Sequence, residues 1–302
     1  MAETKGPAMT LSTILHPTDC SESAARALEV AARFATAHRA TLVILHAELV
    51  HGDGSRERRA VLDEYVASAR RLLDELAGPR SPSASASVEV VDARTFTAHE
   101  AIVEAAAKRH ADLIVMGTHG RRGLSRVLLG SNAERVLRQA PCHVLTVRAD
   151  AVIPAGPEFR KLLVPVDFSA CSRTALDGAR ALAARDNAAI DVLHVIEPLP
   201  PMYHAARAWT GFEVDGELHA RVDERVRGWA GDPPGVRYVV MEGHAAPEIV
   251  RLANERRPDL IVLGSTGDTA APWLLVGSVT ERVCRMANVP VLAIRQSTTS
   301  EP

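Results

Sequence analysis

Apolar runs and amphipathic stretches alternate along this chain from end to end. Residues 12–16 form a short apolar run, followed by Pro17-Thr18-Asp19. Ser21 then reads as a helix N-cap, and Ala24, Leu28, Ala31, Ala32 and Ala35 fall on one helical face. Residues 41–47 are apolar without a break, the pattern of a strand covered on both faces. Residues 52–77 carry many charges with Leu, Val and Ala at helical spacing, which predicts a long surface helix. A loop rich in Ser, Pro and Gly follows at residues 78–86. Residues 88–91 read as a third strand. Thr97 to Glu100 reads as a capping box that opens a helix reaching about Arg109. Apolar runs at 113–116 and 144–147 predict two more strands. Strand and helix in strict alternation imply a parallel sheet with right-handed crossovers.

The pattern then restarts. Residues 149–160 hold Pro, Gly and small residues and read as a linker between a domain at 1–148 and a second at 161–302. Leu162-Leu-Val-Pro165-Val166-Asp167 repeats the stretch around Pro17-Thr18-Asp19, with Ser169 in the place of Ser21. Residues 189–195 repeat the second strand, with His194 in the place of His46. Ser131, Glu134, Arg135, Val136 and Arg138 recur as Ser278, Glu281, Arg282, Val283 and Arg285. The internal period is therefore 147 residues in its later part. Residues 197–234 fit the repeat worst and receive no assignment.

Each half carries one glycine frame after its fourth strand. Gly117-x2-Gly120-x9-Gly130-Ser131 returns as Gly264-x2-Gly267-x9-Gly277-Ser278. Glycines permit close backbone approach to a ligand, and the free N–H groups at a helix start favour an anion. Strand, glycine loop and helix N-terminus together suit a phosphate. This frame, followed by a short helix and a final Val-Leu strand, resembles the ATP-binding type of universal stress protein, and the doubled frame resembles a tandem member of that family. The resemblance runs from about Leu11 to Arg295. The family usually has Pro before the final Val-Leu; Pro290 keeps it, while His143 departs from it.

The resemblance implies two doubly wound, Rossmann-like α/β domains, each a five-stranded parallel sheet of order 3-2-1-4-5 flanked by helices. It also implies a pseudo-two-fold pairing of the halves through their last strands, equivalent to a family dimer, with a homodimer of chains left open. The nucleotide site it implies comprises Pro17, Thr18, Asp19, Ala47, Met116, Gly117, His119, Gly120, Arg121, Gly130, Ser131 and Asn132 in the first half. In the second half it comprises Pro165, Val166, Asp167, Val195, Leu263, Gly264, Gly267, Gly277, Ser278 and Val279.

Several of these residues have plainer explanations. Asp19 and Asp167 suit a ribose or adenine amino group at the strand ends, yet Asp also caps helices well. Ser131-Asn-Ala-Glu134 and Ser278-Val-Thr-Glu281 both read as capping boxes. His119, Arg121, Arg122 and Arg126 could neutralise a triphosphate or merely decorate a solvated loop. The second loop has no basic residue and carries Asp268, so ATP is expected to favour the first half unless magnesium bridges. His46 and His194 read as satisfied core histidines, and Cys142-His143 as strand packing.

Composition narrows the remainder. The chain has 302 residues, enough for two domains. With 47% apolar but only 4% aromatic residues, its cores must be built from Ala, Val and Leu. A net charge of −2 gives no global reason to expect nucleic acid or a membrane surface. Four scattered cysteines, with no Cys-x2-Cys pair, argue for a reducing compartment and against structural zinc. No stretch approaches a membrane span and no signal-peptide core is seen, so a cytoplasmic protein is expected. No Walker A, nucleophile elbow or metal-ligand spacing is present. The leading function is therefore ATP binding, with or without magnesium, coupled to an unknown partner in the stress response. No catalytic residue or bound metal is expected, and any ATPase activity should be slow. An interaction scaffold without nucleotide and a slow ATP-hydrolysing or adenylating enzyme are the alternatives.

Overall fold

The computed structural model describes residues 10–49, 56–77, 87–119, 129–153, 156, 158–198, 215–231, 233, 235–267 and 276–296. The first half runs β1 (Thr13–Thr18), α1 (Glu22–His38), β2 (Thr41–Leu49), α2 (Arg56–Ala77), β3 (Val88–Thr95), α3 (Ala98–Lys108), β4 (Leu113–Gly117), α4 (Ser131–Gln139) and β5 (His143–Val147). The second runs β6 (Lys161–Pro165), α5 (Ala170–Asp186), β7 (Ala189–Ile196), α6 (Asp215–Ala230), β8 (Val236–Glu242), α7 (Ala245–Arg256), β9 (Leu260–Gly264), α8 (Ser278–Met286) and β10 (Val291–Ile294).

Strand order is β3-β2-β1-β4-β5-β10-β9-β6-β7-β8. Each half thus has the order 3-2-1-4-5, parallel throughout. The junction between halves is the antiparallel pair β5–β10, where Leu145 sits opposite Leu292, flanked by Val144–Ala293 and Thr146–Val291. Leu145 and Leu292 are each other's repeat equivalents, so a pseudo-two-fold axis passes between them, the self-complementary contact of a two-fold dimer made within one chain.

The continuous apolar strands have helices on both faces, as their lack of alternation requires. One core layer gathers α1, α2, α5 and α6; the other gathers α3, α4, α7 and α8. Both layers run unbroken through the two halves. Aromatics are few, but Phe34 of α1 meets Phe159, which leads into β6, with ring centroids 5.3 Å apart. Among the described residues, no helix is long and apolar enough to cross a membrane.

Local sequence logic holds in part. Ser21 caps α1 by accepting the Ala24 N–H at 3.3 Å, and Ser169 caps α5 by accepting that of Ser172 at 3.0 Å. Thr97 does precede α3, but its side chain makes no cap bond. In a capping box Glu100 would take the Thr97 N–H; here Thr95 Oγ1 accepts it at 3.2 Å. β3 runs beyond the predicted residues 88–91 because its whole length pairs with β2, from Leu42–Val88 to Leu49–Thr95. The unassigned stretch holds α6, while Tyr203, Trp209 and Phe212 lie outside the described residues.

Candidate functional site

In each half the strand order reverses beside the first strand, between β1 and β4 and between β6 and β9. The crevice at the carboxyl ends there is the usual ligand position of an open α/β sheet. β1 ends in Pro17 and Thr18, and β6 in Pro165. The chain then turns tightly into a helix. Cys20 and Phe168 hold this turn at φ 60° and 67°, conformations unfavourable for bulky residues. Asp19 Oδ1 accepts the Ser21 N–H at 3.0 Å, and Asp167 Oδ1 accepts the Ser169 N–H at 3.1 Å and hydroxyl at 2.6 Å. Neither aspartate is the helix N-cap; each braces the serine that is.

The glycines that end β4 and β9 have a packing role that spacing alone hides. A Cβ on Gly117 would lie 2.2 Å from Ser23 Oγ and 2.8 Å from its carbonyl carbon. A Cβ on Gly264 would lie 3.0 Å from the backbone and Sγ of Cys171. These two glycines therefore let the first helix of each half sit against the fourth strand. Gly267 faces Asp167 instead: an added Cβ would meet its Oδ2 at 2.6 Å.

The capping boxes expected at Ser131 and Ser278 do not form. The N-caps are Gly130 and Gly277, with no side-chain cap bond. The Gly130 N–H donates to Thr118 O at 2.8 Å and that of Gly277 to Ser265 O at 2.7 Å. Each bond pins the chain one residue before the serine, which becomes the first helical residue. Ser131, Asn132 and Ser278 are exposed. A helix's first N–H groups have no acceptor within it, so the first turns of α4 and α8 each hold donors that their own helix does not use. Thr280 turns inward, donating its hydroxyl to Gly264 O at 2.7 Å.

In the second half the candidate residues surround one cavity of 740 Å³. Pro165, Val166, Asp167, Val195, Leu263, Gly264, Gly267, Gly277, Ser278 and Val279 all line it. Among the wall residues not foreseen from sequence are His194, Glu197, Val222 of α6, Ile249 of α7, Glu281 and, from the first half, Arg138. His194 is held as a core histidine would be, its Nδ1–H donating to Val166 O at 2.8 Å. Its ring also packs 4.6 Å from Phe168, over which Arg225 stacks at 4.3 Å. These contacts hold the left-handed Phe168 in place.

The first half gathers Pro17, Thr18, Asp19, Ala47, Met116, Gly117, His119, Gly130, Ser131 and Asn132 on the adjoining β2, β1, β4 and α4. His46 Nδ1–H donates to Thr18 O at 3.2 Å. His119 Nδ1 lies 2.9 Å from Thr118 Oγ1, and its backbone carbonyl accepts the Ser23 hydroxyl. Its Nε2 is buried without a hydrogen-bond partner among the described residues. Burial, then the nearby Arg148 charge, lowers its pKa. Gly120, Arg121, Arg122 and Arg126, with Asp268 and Trp273 of the second loop, lie outside the described residues.

The remaining histidine and cysteine candidates are structural. His143 Nδ1 accepts the Arg295 N–H at 3.1 Å. All four cysteines are free thiols, and burial pushes those of Cys142 and Cys284 up to about 12. Among the described residues, no group of three or more His, Cys, Asp or Glu side chains could hold a metal ion.

Fold, repeat and crevice define a tandem Rossmann-like α/β protein folded as its own pseudo-dimer. The model of the universal stress protein family matches residues 10–148 and again 158–295, so the chain belongs to that family. A universal stress protein of Mycobacterium tuberculosis, Rv2005c, is 30% identical over 190 residues, covering 62% of this chain. That alignment spans 63% of the relative's own length. A universal stress protein of Mycolicibacterium smegmatis is 28% identical over 293 residues, covering 93% of this chain and 96% of its own. The crystal structure of a universal stress protein from Archaeoglobus fulgidus has the same fold, with a TM-score of 0.61 at 24% identity over 94% of this chain and 98% of that one.

Proposed function

We propose that this chain binds adenine nucleotide, ATP foremost, at the switch point of each half, and that occupancy is the state a partner reads. The observation that carries the reading is the second-half cavity, on which all ten second-half candidates converge. Its volume suits a small-molecule site. Val166, Leu193, Val195 and Ile249 supply an apolar wall for a flat base. The exposed Asp167 stands where a ribose would reach it. The start of α8 offers phosphate N–H donors that the helix itself does not use, and Gly267 and Gly277 keep side chains out of the way. The first half carries the same residues in register, and His119 Nε2, which has no hydrogen-bond partner among the described residues, is a further polar group for the nucleotide. Magnesium would enter with the phosphates, and any hydrolysis would be slow.

Denaturing the purified full-length protein and identifying the released small molecules by mass tests this, together with calorimetric titration. Adenine nucleotide at up to two per chain is expected. Protein that carries none, and that titrates with neither ATP nor adenosine, would leave the interaction scaffold as the function.

A further inference from the structure

Glu281 stands in the first turn of α8 and lines the second cavity. A carboxylate there repels a ligand anion that approaches the helix start. Two guanidiniums hold it. Arg285 of the same helix donates to Oε1 at 2.8 Å, and Arg138 donates to Oε2 at 2.6 Å from α4 of the first half. Arg138 also lies 3.3 Å from Glu134 and is itself part of the cavity wall. Arg285 keeps to Glu281 of its own helix, as Arg138 keeps to Glu134, and among the described residues the Arg138–Glu281 pair has no Arg285–Glu134 counterpart. The pseudo-symmetry is broken so that Glu281, with only 18% of its side chain exposed, has two cations. Asp167 and Glu197 add two more carboxylates to the wall, in which Arg138 is the one Lys or Arg among the described residues.

We propose that Arg138 is a specificity-determining residue of the second cavity: reaching across the half boundary, it cancels the Glu281 charge so that the start of α8 accepts phosphate. This rests on the nucleotide reading of that cavity. Its consequence falls on charged ligands only. ATP feels the balance between Arg138 and Glu281, and adenosine does not.

The full-length chain provides a half-specific signal, because all three tryptophans, Trp209, Trp229 and Trp273, belong to the second half. Tryptophan fluorescence, corrected for nucleotide absorption, is titrated with ATP and with adenosine. Arg138→Gln should weaken ATP about tenfold while adenosine stays within about twofold, the scale of one uncompensated charge near a phosphate. Adding Glu281→Gln to that variant should recover most of the ATP affinity, which loosening of the junction alone would not allow. Equal weakening of both ligands, unchanged ATP binding, or a double variant as weak as the single one overturns the proposal. Should neither ATP nor adenosine change the tryptophan fluorescence of the wild-type chain, the nucleotide reading of the second cavity fails and the proposal with it.

Discussion

Replacing Gly277 by alanine separates the fold of the cradle from its chemistry. The Gly277 backbone lies at φ −76° and ψ 150°, open to any L-residue. An added Cβ would be 3.6 Å from the Gly267 nitrogen and 3.7 Å from Ser265 O, ordinary contacts. Two small effects oppose each other. Alanine reduces the freedom of the unfolded chain, which stabilises by about 0.4–1 kcal/mol. Alanine also caps a helix less well than glycine, at a cost of roughly the same size. At about 2–4 °C per kcal/mol, the melting midpoint should stay within about 2 °C. Gly130, its first-half equivalent, differs in one contact. A Cβ there would lie 2.8 Å from Thr118 O, a backbone atom that already accepts the Gly130 N–H. That atom cannot swing away, so Gly130→Ala should cost about 1–3 kcal/mol, as overpacking does. The assay is a thermal melt of both variants without ligand, followed by ATP titration. Gly277→Ala should keep its midpoint yet lose about tenfold or more in ATP affinity at the tryptophan-reported half. A large drop in midpoint for Gly277→Ala with none for Gly130→Ala would refute the contact argument. Undiminished ATP affinity in Gly277→Ala would move the phosphate end elsewhere.

Two further predictions concern stability. His16 is fully buried, its Nδ1–H donating to Val115 O at 2.8 Å and its Nε2 accepting from the Tyr65 hydroxyl at 2.8 Å, and burial pushes its pKa down to about 4. The unfolded chain therefore takes up a proton that the folded chain refuses, so stability is full above about pH 6.5 and falls by at most about 3 kcal/mol toward pH 4. His38, lowered likewise by burial and by Arg185, adds to that acid branch. Urea unfolding across this range should show a shallower slope for His16→Gln, and an unaltered slope would rule the residue out. At the junction, Arg148 donates to Arg285 O at 3.0 Å and Met286 O at 3.3 Å, while its repeat equivalent Arg295 donates to Leu137 O at 3.3 Å and Arg138 O at 2.7 Å. Each crosses to the other half's helix end, so Arg148→Ala and Arg295→Ala should each cost about 1–3 kcal/mol; hydrogen exchange that fails to quicken in β5 and β10 would count against this.

What the sequence could disclose followed the range of the interactions involved. The inner strands were legible because burial on both faces leaves continuous apolar runs, and the halves because two copies of each signal lie in register. Ser21 and Ser169 were legible as caps because a cap bond joins residues three apart. Ser131 and Ser278 misled because their caps are decided by a bond across the glycine loop, from Gly130 to Thr118 and from Gly277 to Ser265. The packing role of Gly117 against Ser23 depends on β4 and α1 lying together, which spacing along the chain does not display. His194 hid behind its own hydrogen bond: a satisfied core histidine can also face a cavity. Arg138 was visible only as a repeated letter, since its partner lies across the pseudo-two-fold axis.

Two charge differences between the halves pull in opposite directions. In the loops, the first half carries His119, Arg121, Arg122 and Arg126 where the second has Asp268 and no basic residue. At the helix starts, the second half has the advantage: Glu281 holds two arginines, while Glu134 shares Arg138 at 3.3 Å. An exposed charge about 4 Å from another interacts with it by only ~1 kcal/mol in water, and less once salt screens it. Three loop cations set against one loop anion outnumber a single better-neutralised glutamate. Without magnesium, ATP should therefore favour the first half by about tenfold, a preference that shrinks as salt rises. Magnesium should narrow it further by bridging Asp268 to the phosphates. Adenosine, which carries no charge, should show no preference. Photolabelling the full-length chain with an azido-ATP in chelator at low salt, then mapping the labelled peptides, measures the ratio directly. Equal labelling of the two halves, or heavier labelling of the second, would mean that the arginines at the junction govern occupancy and the loop arginines do not.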